Sequence, residues 1–378
     1  MSPQSSRPSL WIPGPTEVRP ELLAELTRPM IGHRTAAMRE CIARLDPGLE
    51  HAFGLGPGSS AHVAVHSCTA SGLMEAVLRG CGGRVLSLVN GAFSKRFATI
   101  AESVGLEVVR LERPAGHGFQ TDEVRSVLDR QGPFEALTFA TSETSSGTAT
   151  PPERIARALA QHPETLLLAD CVTWLGGAPV AFDANRLDAA IAGTQKALAL
   201  PPGLGLLAVS DRFLERARRS ERRGWFLDVV RIVEAHADRK PPMTPTISLH
   251  FALARQLEEI GAGTLEGQLA GRSAPEAGCD AWCARFERHA RMRARTLAAA
   301  DALGLRPIAS VEDCSPTVSC LDLGGREVPA LLARMRTRGF ELGAGYGDLK
   351  SSAIRIGHMG DHSEQELEAL LEALAEAL

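Results

Sequence analysis

The sequence predicts an α/β protein built on a largely parallel sheet, and three observations carry that prediction. Apolar runs of strand length alternate, through the first two hundred residues, with longer stretches of helical spacing. The runs are almost continuously apolar, as expected of strands buried on both faces. The chain of 378 residues, 44% of them hydrophobic, is also long enough for a large core with a smaller one beside it.

In order along the chain, AHVAVHS (61–67) leads into ASGLMEAVLRG, RVLSLVN (84–90) into FSKRFATIAESVG, and LEVVRLE (106–112) into TDEVRSVLDRQ. FEALTFATS (134–142) then precedes PPERIARALAQH, and TLLLAD (165–170) follows. Parallel strands need helical crossovers, which this alternation supplies. LDAAIAGT (187–194) and GLGLLAVS (203–210) extend the same sheet. After about Leu249 the pattern turns mainly helical, with a Gly- and Ala-rich stretch at 261–278 that reads as a loop or insertion. Arg285, Arg288, Arg291, Arg293 and Arg295 follow on a polar stretch that reads as the solvated surface of a helix. The terminal SEQELEALLEALAEAL has apolar residues at helical spacing, with Ser363 and Glu366 spaced as a capping box.

A net charge of −4 and a pI near 6.3 leave no basic footprint for nucleic acid or an anionic membrane surface, so small-molecule chemistry is the default. No apolar run approaches the ~20 residues of a membrane span, and the first residues lack the apolar core of a secretory signal, so the cytoplasm is the expected location. The eight cysteines are scattered, several within apolar segments, and read as buried free thiols. Cys279 and Cys283 have no partner pair at a metal-binding spacing, so no metal is expected.

Lysine is rare here: Lys95, Lys196, Lys240 and Lys350 are the only four among 41 basic residues. Lys196 sits between two apolar runs, where arginine would serve if charge alone were needed. A partly desolvated lysine can lose its proton and attack a carbonyl to form a Schiff base, which arginine cannot. Locally, a lysine snorkelling from a strand end fits equally well.

In an open α/β sheet the ligand lies at the carboxyl ends of the strands. After the first strand, Thr69, Ala70 and Ser71 open a helix whose backbone N–H groups and dipole can hold a phosphate. Asp170 ends TLLLAD. An amine, an acid and an anion cradle are together what pyridoxal phosphate requires: the amine for its aldehyde, the acid for its ring nitrogen, the cradle for its phosphate. Lys196 is then also the natural general base for the α-proton of an amino acid.

Seven ordered stretches resemble the class V aminotransferases, the fold type I pyridoxal phosphate group that includes serine:pyruvate and alanine:glyoxylate aminotransferases. They are PGPTEV (13–18) with RPMIGHR (28–34), SCTASGLMEAV, NGAFSKRFA (90–98), SETSSGT (142–148), LLLADCVTWLGGAPV (166–180), GTQKALALPPGLG (193–205) and SAIRIGHMG (352–360). The resemblance implies an N-terminal arm (1–20), a large cofactor-binding domain with a mainly parallel sheet flanked by helices (21–255), and a smaller C-terminal α+β domain (256–378).

It also implies site roles. Lys196 is the Schiff base lysine and Asp170 the ring-nitrogen acid, Phe93 stacks on one face of the ring with Val172 on the other, Thr144 bonds the phenolic oxygen, and Gln195 contacts the phosphate with Thr69, Ala70 and Ser71. Arg355 binds the substrate carboxylate, for which a planar fork of donors is suited. Gly14 lines the pocket near the substrate. Family members are homodimers with the site at the subunit interface, and Thr244 matches the residue that reaches the partner's cofactor phosphate. The family often has a tyrosine shortly before that threonine, where this chain has Pro241 and Pro242; its only tyrosine is Tyr346. Trp11, Trp174 and Trp225 are candidates for shaping the donor pocket.

The implied reaction is ping-pong transfer of an amino group from an alanine- or serine-type amino acid to a 2-oxo acid such as glyoxylate or pyruvate. The alternatives are a lyase or cysteine desulfurase reaction on the same fold, or a protein that has lost catalysis.

Overall fold

The computed structural model describes residues 7–271 and 273–378. The first six residues of the expected arm, and Arg272 of the expected 261–278 loop, lie outside the described residues. Seven strands form the central sheet: β1 (His62–His66), β2 (Arg84–Val89), β3 (Glu107–Glu112), β4 (Ala136–Ala140), β5 (Leu166–Asp170), β6 (Ala189–Gly193) and β7 (Gly205–Val209). Their spatial order is β1-β7-β6-β5-β4-β2-β3. β4, β5 and β6 are buried along their whole length, while β3, at the sheet edge, is exposed at both ends. All pairs are parallel except those of β7, which runs antiparallel to both β6 and β1. The eleven residues between Gly193 and Gly205 contain no helix, and a parallel return needs a crossover of a dozen or more.

Helices cover both faces, with α1 (Ala70–Arg79) following β1 and α2 (Ala92–Ser103) following β2. α1 turns Leu73, Met74, Ala76, Val77 and Leu78 into an apolar layer with Ile191 and Leu207, and the opposite layer holds Leu86, Leu137, Phe139 and Leu206. α3 (Ile247–Gly261) continues unbroken past residue 255 and packs against the N-terminal helices. Beyond it lies an antiparallel sheet of β8 (Arg306–Pro307), β9 (Val318–Asp322), β10 (Gly343–Ala344) and β11 (Ala353–Gly357), in the order β8-β9-β11-β10. Its core is separate and includes Trp11 of the arm, Leu321, Ile354, Ile356 and the apolar stripe of the terminal helix.

Two readings of this region are corrected. The 261–278 stretch contains a helix, α4 (Thr264–Ala270), which carries the buried Glu266. Arg285 and Arg288 of α5 (Cys279–Ala302) are 0% and 1% exposed, not solvated. Glu266 bridges Arg285 at 2.9 Å and Arg288 at 2.7 Å, and Asp361 meets Arg285 at 2.9 Å. A charged pair this deep is tolerated only when hydrogen bonds satisfy it. Arg291 and Arg295 do reach the surface, pairing with Glu364 and Glu368 of α6 (Glu364–Ala377). The capping box at Ser363 forms, its hydroxyl accepting from the Glu366 N–H at 3.1 Å. Five cysteines are buried and Cys68 is half-buried, but Cys279 and Cys283 are exposed.

Candidate active site

Three chain segments meet at the carboxyl ends of neighbouring strands. β1 runs into α1, whose N-cap Thr69 accepts a hydrogen bond from the Gly72 N–H at 3.4 Å. That leaves the N–H groups of Ala70 and Ser71 at the open helix end. β5 ends on Asp170, and β6 is followed within three residues by Lys196. Between them is a cavity of about 260 Å³ lined by Thr69, Ala70, Ser71, Met74, Phe93, Arg96, Ser142, Thr144, Asp170, Val172, Thr173, Gln195 and Lys196.

Both titratable groups are shifted towards neutrality. Burial pushes the Asp170 carboxyl up to about 7, against the Val172 N–H, which donates to Oδ1 at 2.9 Å. Burial also pulls the Lys196 amine down to about 8; the Arg355 charge lowers it further and Asp170 opposes. The Lys196 Nζ donates to the Pro13 carbonyl. Gly14, next in the arm, has φ +102°, and a Cβ there would stand 2.6 Å from Nζ.

Arg355 lies on β11, its Nε donating to Ala344 O at 2.8 Å and its Nη1 to Thr144 O at 3.3 Å. Nη2 has no acceptor among the described residues. The Tyr346 ring is 5.6 Å from the guanidinium and 5.5 Å from the Phe93 ring. Thr144 and Thr173 hydroxyls meet at 3.0 Å. Thr244 does not line this cavity: it is exposed at the surface. None of the three tryptophans does either. Trp11 is buried and stacked on His362, Trp174 donates to Pro179 O, and Trp225 lies on the surface beneath Arg231.

Sequence reasoning passed over Met74, Arg96, Ser142 and Thr173. Arg96 stands three residues after Phe93, one helical turn on, with its guanidinium 4.9 Å from that ring. The same spacing puts Met74 above Ala70 and Ser71. Glu143 was also missed. Fully buried, it takes hydrogen bonds from the N–H groups of Phe93 and Ser94 at the start of α2 and from Ser145 N and Oγ, so it seats the helix end that carries Phe93. A Cβ on Gly91 would come within 2.5 Å of its side chain, which fixes glycine there.

These residues fit pyridoxal phosphate on the structure's own terms. Asp170 has one carboxylate oxygen occupied by a backbone N–H and, among the described residues, no donor on the other. The amine faces the same cavity as the helix end, which can hold a dianionic phosphate.

A family model for class V aminotransferases matches residues 67–264. The chain is 31% identical to the soluble hydrogenase small subunit of a Synechococcus strain, over 98% of this chain and 92% of that protein. Among solved structures, an aspartate aminotransferase of subgroup IV from Thermus thermophilus is similar with a TM-score of 0.85 and 32% identity, covering 98% of this chain and all of the other. An alanine–glyoxylate aminotransferase from Nostoc has a TM-score of 0.86 at 26% identity, covering 100% of this chain and 97% of that one. With the cavity and its amine, acid and anion cradle, these likenesses assign the chain to the class V aminotransferase family of pyridoxal phosphate-dependent transaminases.

Proposed function

We propose that the chain moves the amino group of a small amino acid of the alanine or serine type to a 2-oxo acid such as glyoxylate or pyruvate, in two half-reactions at one site. The observation that carries the reading is the meeting of an amine held near neutrality, a buried acid and an open helix end round one cavity, with a guanidinium at its edge. The names of the similar solved proteins support glyoxylate as an acceptor and widen the donors to aspartate.

In this reading Lys196 holds the cofactor covalently and, once released, carries the α-proton as general base. Its lowered pKa suits that exchange, since the amine is partly neutral at physiological pH. Asp170 pairs with the ring nitrogen, and its burial makes the pair strong because little water competes. The Ala70 and Ser71 N–H groups with Thr69 and Gln195 hold the phosphate, Phe93 and Val172 hold the ring faces, and Thr144 bonds the phenolic oxygen. The bound cofactor supplies an electron sink for the α-carbanion. Arg355 offers its free Nη2 edge to the substrate carboxylate in both half-reactions, and Gly14 leaves room beside the amine.

The chain is further proposed to act as a homodimer. Thr244, exposed and away from its own cavity, would reach the cofactor phosphate in the second copy, and Met30, Trp225 and Phe226 are large apolar side chains left on the surface. The division into arm 1–20, large domain 21–255 and small domain 256–378 belongs to the same reading, as does a cytoplasmic location. Among the described residues, no helix is long and apolar enough to cross a membrane.

The test is a visible spectrum of the purified protein titrated with alanine, serine, glycine and aspartate, followed by initial rates with glyoxylate and pyruvate. Parallel double-reciprocal lines are expected. No absorbance change with any donor would overturn the reading, and release of sulfide or ammonia without an oxo acid would favour the lyase or desulfurase alternative.

A further inference from the structure

The segment that carries Lys196 belongs to neither helix nor strand, so no ladder fixes where the amine stands. Besides local turn bonds, from the Ala199 N–H to Lys196 O at 2.8 Å and the Leu200 N–H to Thr194 O at 3.1 Å, four successive carbonyls of that segment are each taken by a donor from elsewhere. Gln195 O accepts from Thr16 N at 3.2 Å and Lys196 O from the Thr16 hydroxyl at 3.0 Å. Ala197 O accepts from Arg285 Nη2 at 2.5 Å, and Leu198 O from Gln256 Nε2 at 2.9 Å. The donors lie on the arm, α5 and α3. The next residue, Ala199, sits at φ +52°, a left-handed conformation that a non-glycine residue keeps only when its surroundings hold it.

Two of these donors converge on one carboxylate. Asp361, its side chain 3% exposed, accepts from Arg285 at 2.9 Å and from Gln256 at 2.9 and 3.1 Å. It also accepts from Arg19 Nε at 2.7 Å, and Arg19 Nη2 donates to Gln256 Oε1 at 2.7 Å, so Arg19 belongs to the same network although it donates to none of the four carbonyls. Gln256 and Arg285 are both 0% exposed, so neither donor has water as an alternative partner. Asp361 stands six residues after Arg355, just beyond the end of β11. One carboxylate thus ties the exit of the strand bearing the guanidinium to the peptide bearing the amine.

We propose that Asp361, acting through Arg285 and Gln256, is a positioning residue that sets the place of the Lys196 amine relative to Arg355. The proposal rests on the reading of Lys196 as the residue that holds the cofactor.

The test uses Asp361→Asn and the milder Gln256→Met, which leaves the charged partners in place, with Arg44→Gln as the control, since Arg44 pairs with Glu258 of α3 and bonds neither Asp361 nor Gln256. In wild type, borohydride reduction of the cofactor-loaded protein and peptide mass mapping should find the label on Lys196; a label elsewhere overturns the underlying reading of the site. In the cofactor-free proteins, the pH dependence of Lys196 acetylation by acetic anhydride gives the amine's titration midpoint. Both network variants should move that midpoint by about half a pH unit or more. They should lower kcat on the order of 10-fold with little change in the donor KM, as expected for a misplaced reacting group. Arg44→Gln should lower the melting temperature without moving the midpoint. Wild-type midpoint and kcat in a folded, Lys196-labelled Gln256→Met protein would overturn the proposal, as would an equal midpoint shift in Arg44→Gln.

Discussion

Gly14 stands so close to Lys196 that a Cβ built on it would lie 2.6 Å from Nζ, and its φ of +102° is one that side-chain-bearing residues rarely adopt. The arm therefore presses bare backbone against the amine, and the Pro13 carbonyl accepts a hydrogen bond from it. Gly14→Ala should displace one or the other. The expected outcome is a kcat loss on the order of 10-fold or more, because small displacements at the reacting atom are costly. Steady-state kinetics beside a borohydride labelling yield at Lys196 would check it; an unchanged yield and kcat would show that the arm gives way freely.

Asp170 should cost the cofactor-free protein stability at neutral pH. Its folded carboxyl titrates about 7 against an ordinary 3.8, because burial disfavours the charge. Below the lower value the group is protonated in both folded and unfolded chains and costs nothing; the cost grows between the two and is complete above about 7. That interval corresponds to on the order of 4 kcal/mol. Cofactor-free Asp170→Asn should therefore exceed wild type in urea stability at pH 8, with the gap closing by pH 4. The same substitution should lower transaminase turnover on the order of 10²-fold. Equal stability at both pH values would show that the carboxylate is better solvated than its burial implies.

Arg355 lowers the Lys196 amine through space, second only to burial. Arg355→Gln should thus raise the pH at which Lys196 becomes reactive above about 8, while the donor KM rises on the order of 10-fold or more from the lost charged contact. Acetylation profiles and steady-state kinetics read the two effects separately. A risen KM with an unmoved midpoint would place the guanidinium's charge away from the amine.

Glu143 seats Phe93 through bonds from the N–H groups of Phe93 and Ser94, both directed at its carboxylate. Glu143→Gln turns an amide N–H₂ towards some of those donors. A loss of about 1–3 kcal/mol in urea stability is expected, with weaker cofactor retention on gel filtration. Full stability would mean that a single acceptor oxygen is enough to seat the helix end.

Much of this was legible in the chain. The buried strands β4, β5 and β6 read as apolar runs because a parallel sheet covered on both faces leaves little room for polar residues, the edge strand β3 keeps Glu107, Arg110 and Glu112, and the amine and acid stood out because lysine is rare here and Asp170 ends such a run. The direction of β7 was not legible in periodicity, since parallel and antiparallel buried strands look alike; only the short connection before it distinguishes them. Arg285 and Arg288 read as solvated because charge implies water, and nothing local reports that Glu266 and Asp361 converge on them from other elements. The helix at Thr264–Ala270 was masked by glycines on either side of it.

Local periodicity and residue type are enough to define the layers of the fold, the helix end at Thr69 to Ser71, and which side chains could do amine and acid chemistry. The shifts of Lys196 and Asp170 towards neutrality, the seat of Phe93 on Glu143, and the capture of four carbonyls around the amine arise only in the folded chain. Those depend on burial and on partners far apart in the chain, and desolvation and hydrogen bonding are set by what surrounds a group in space.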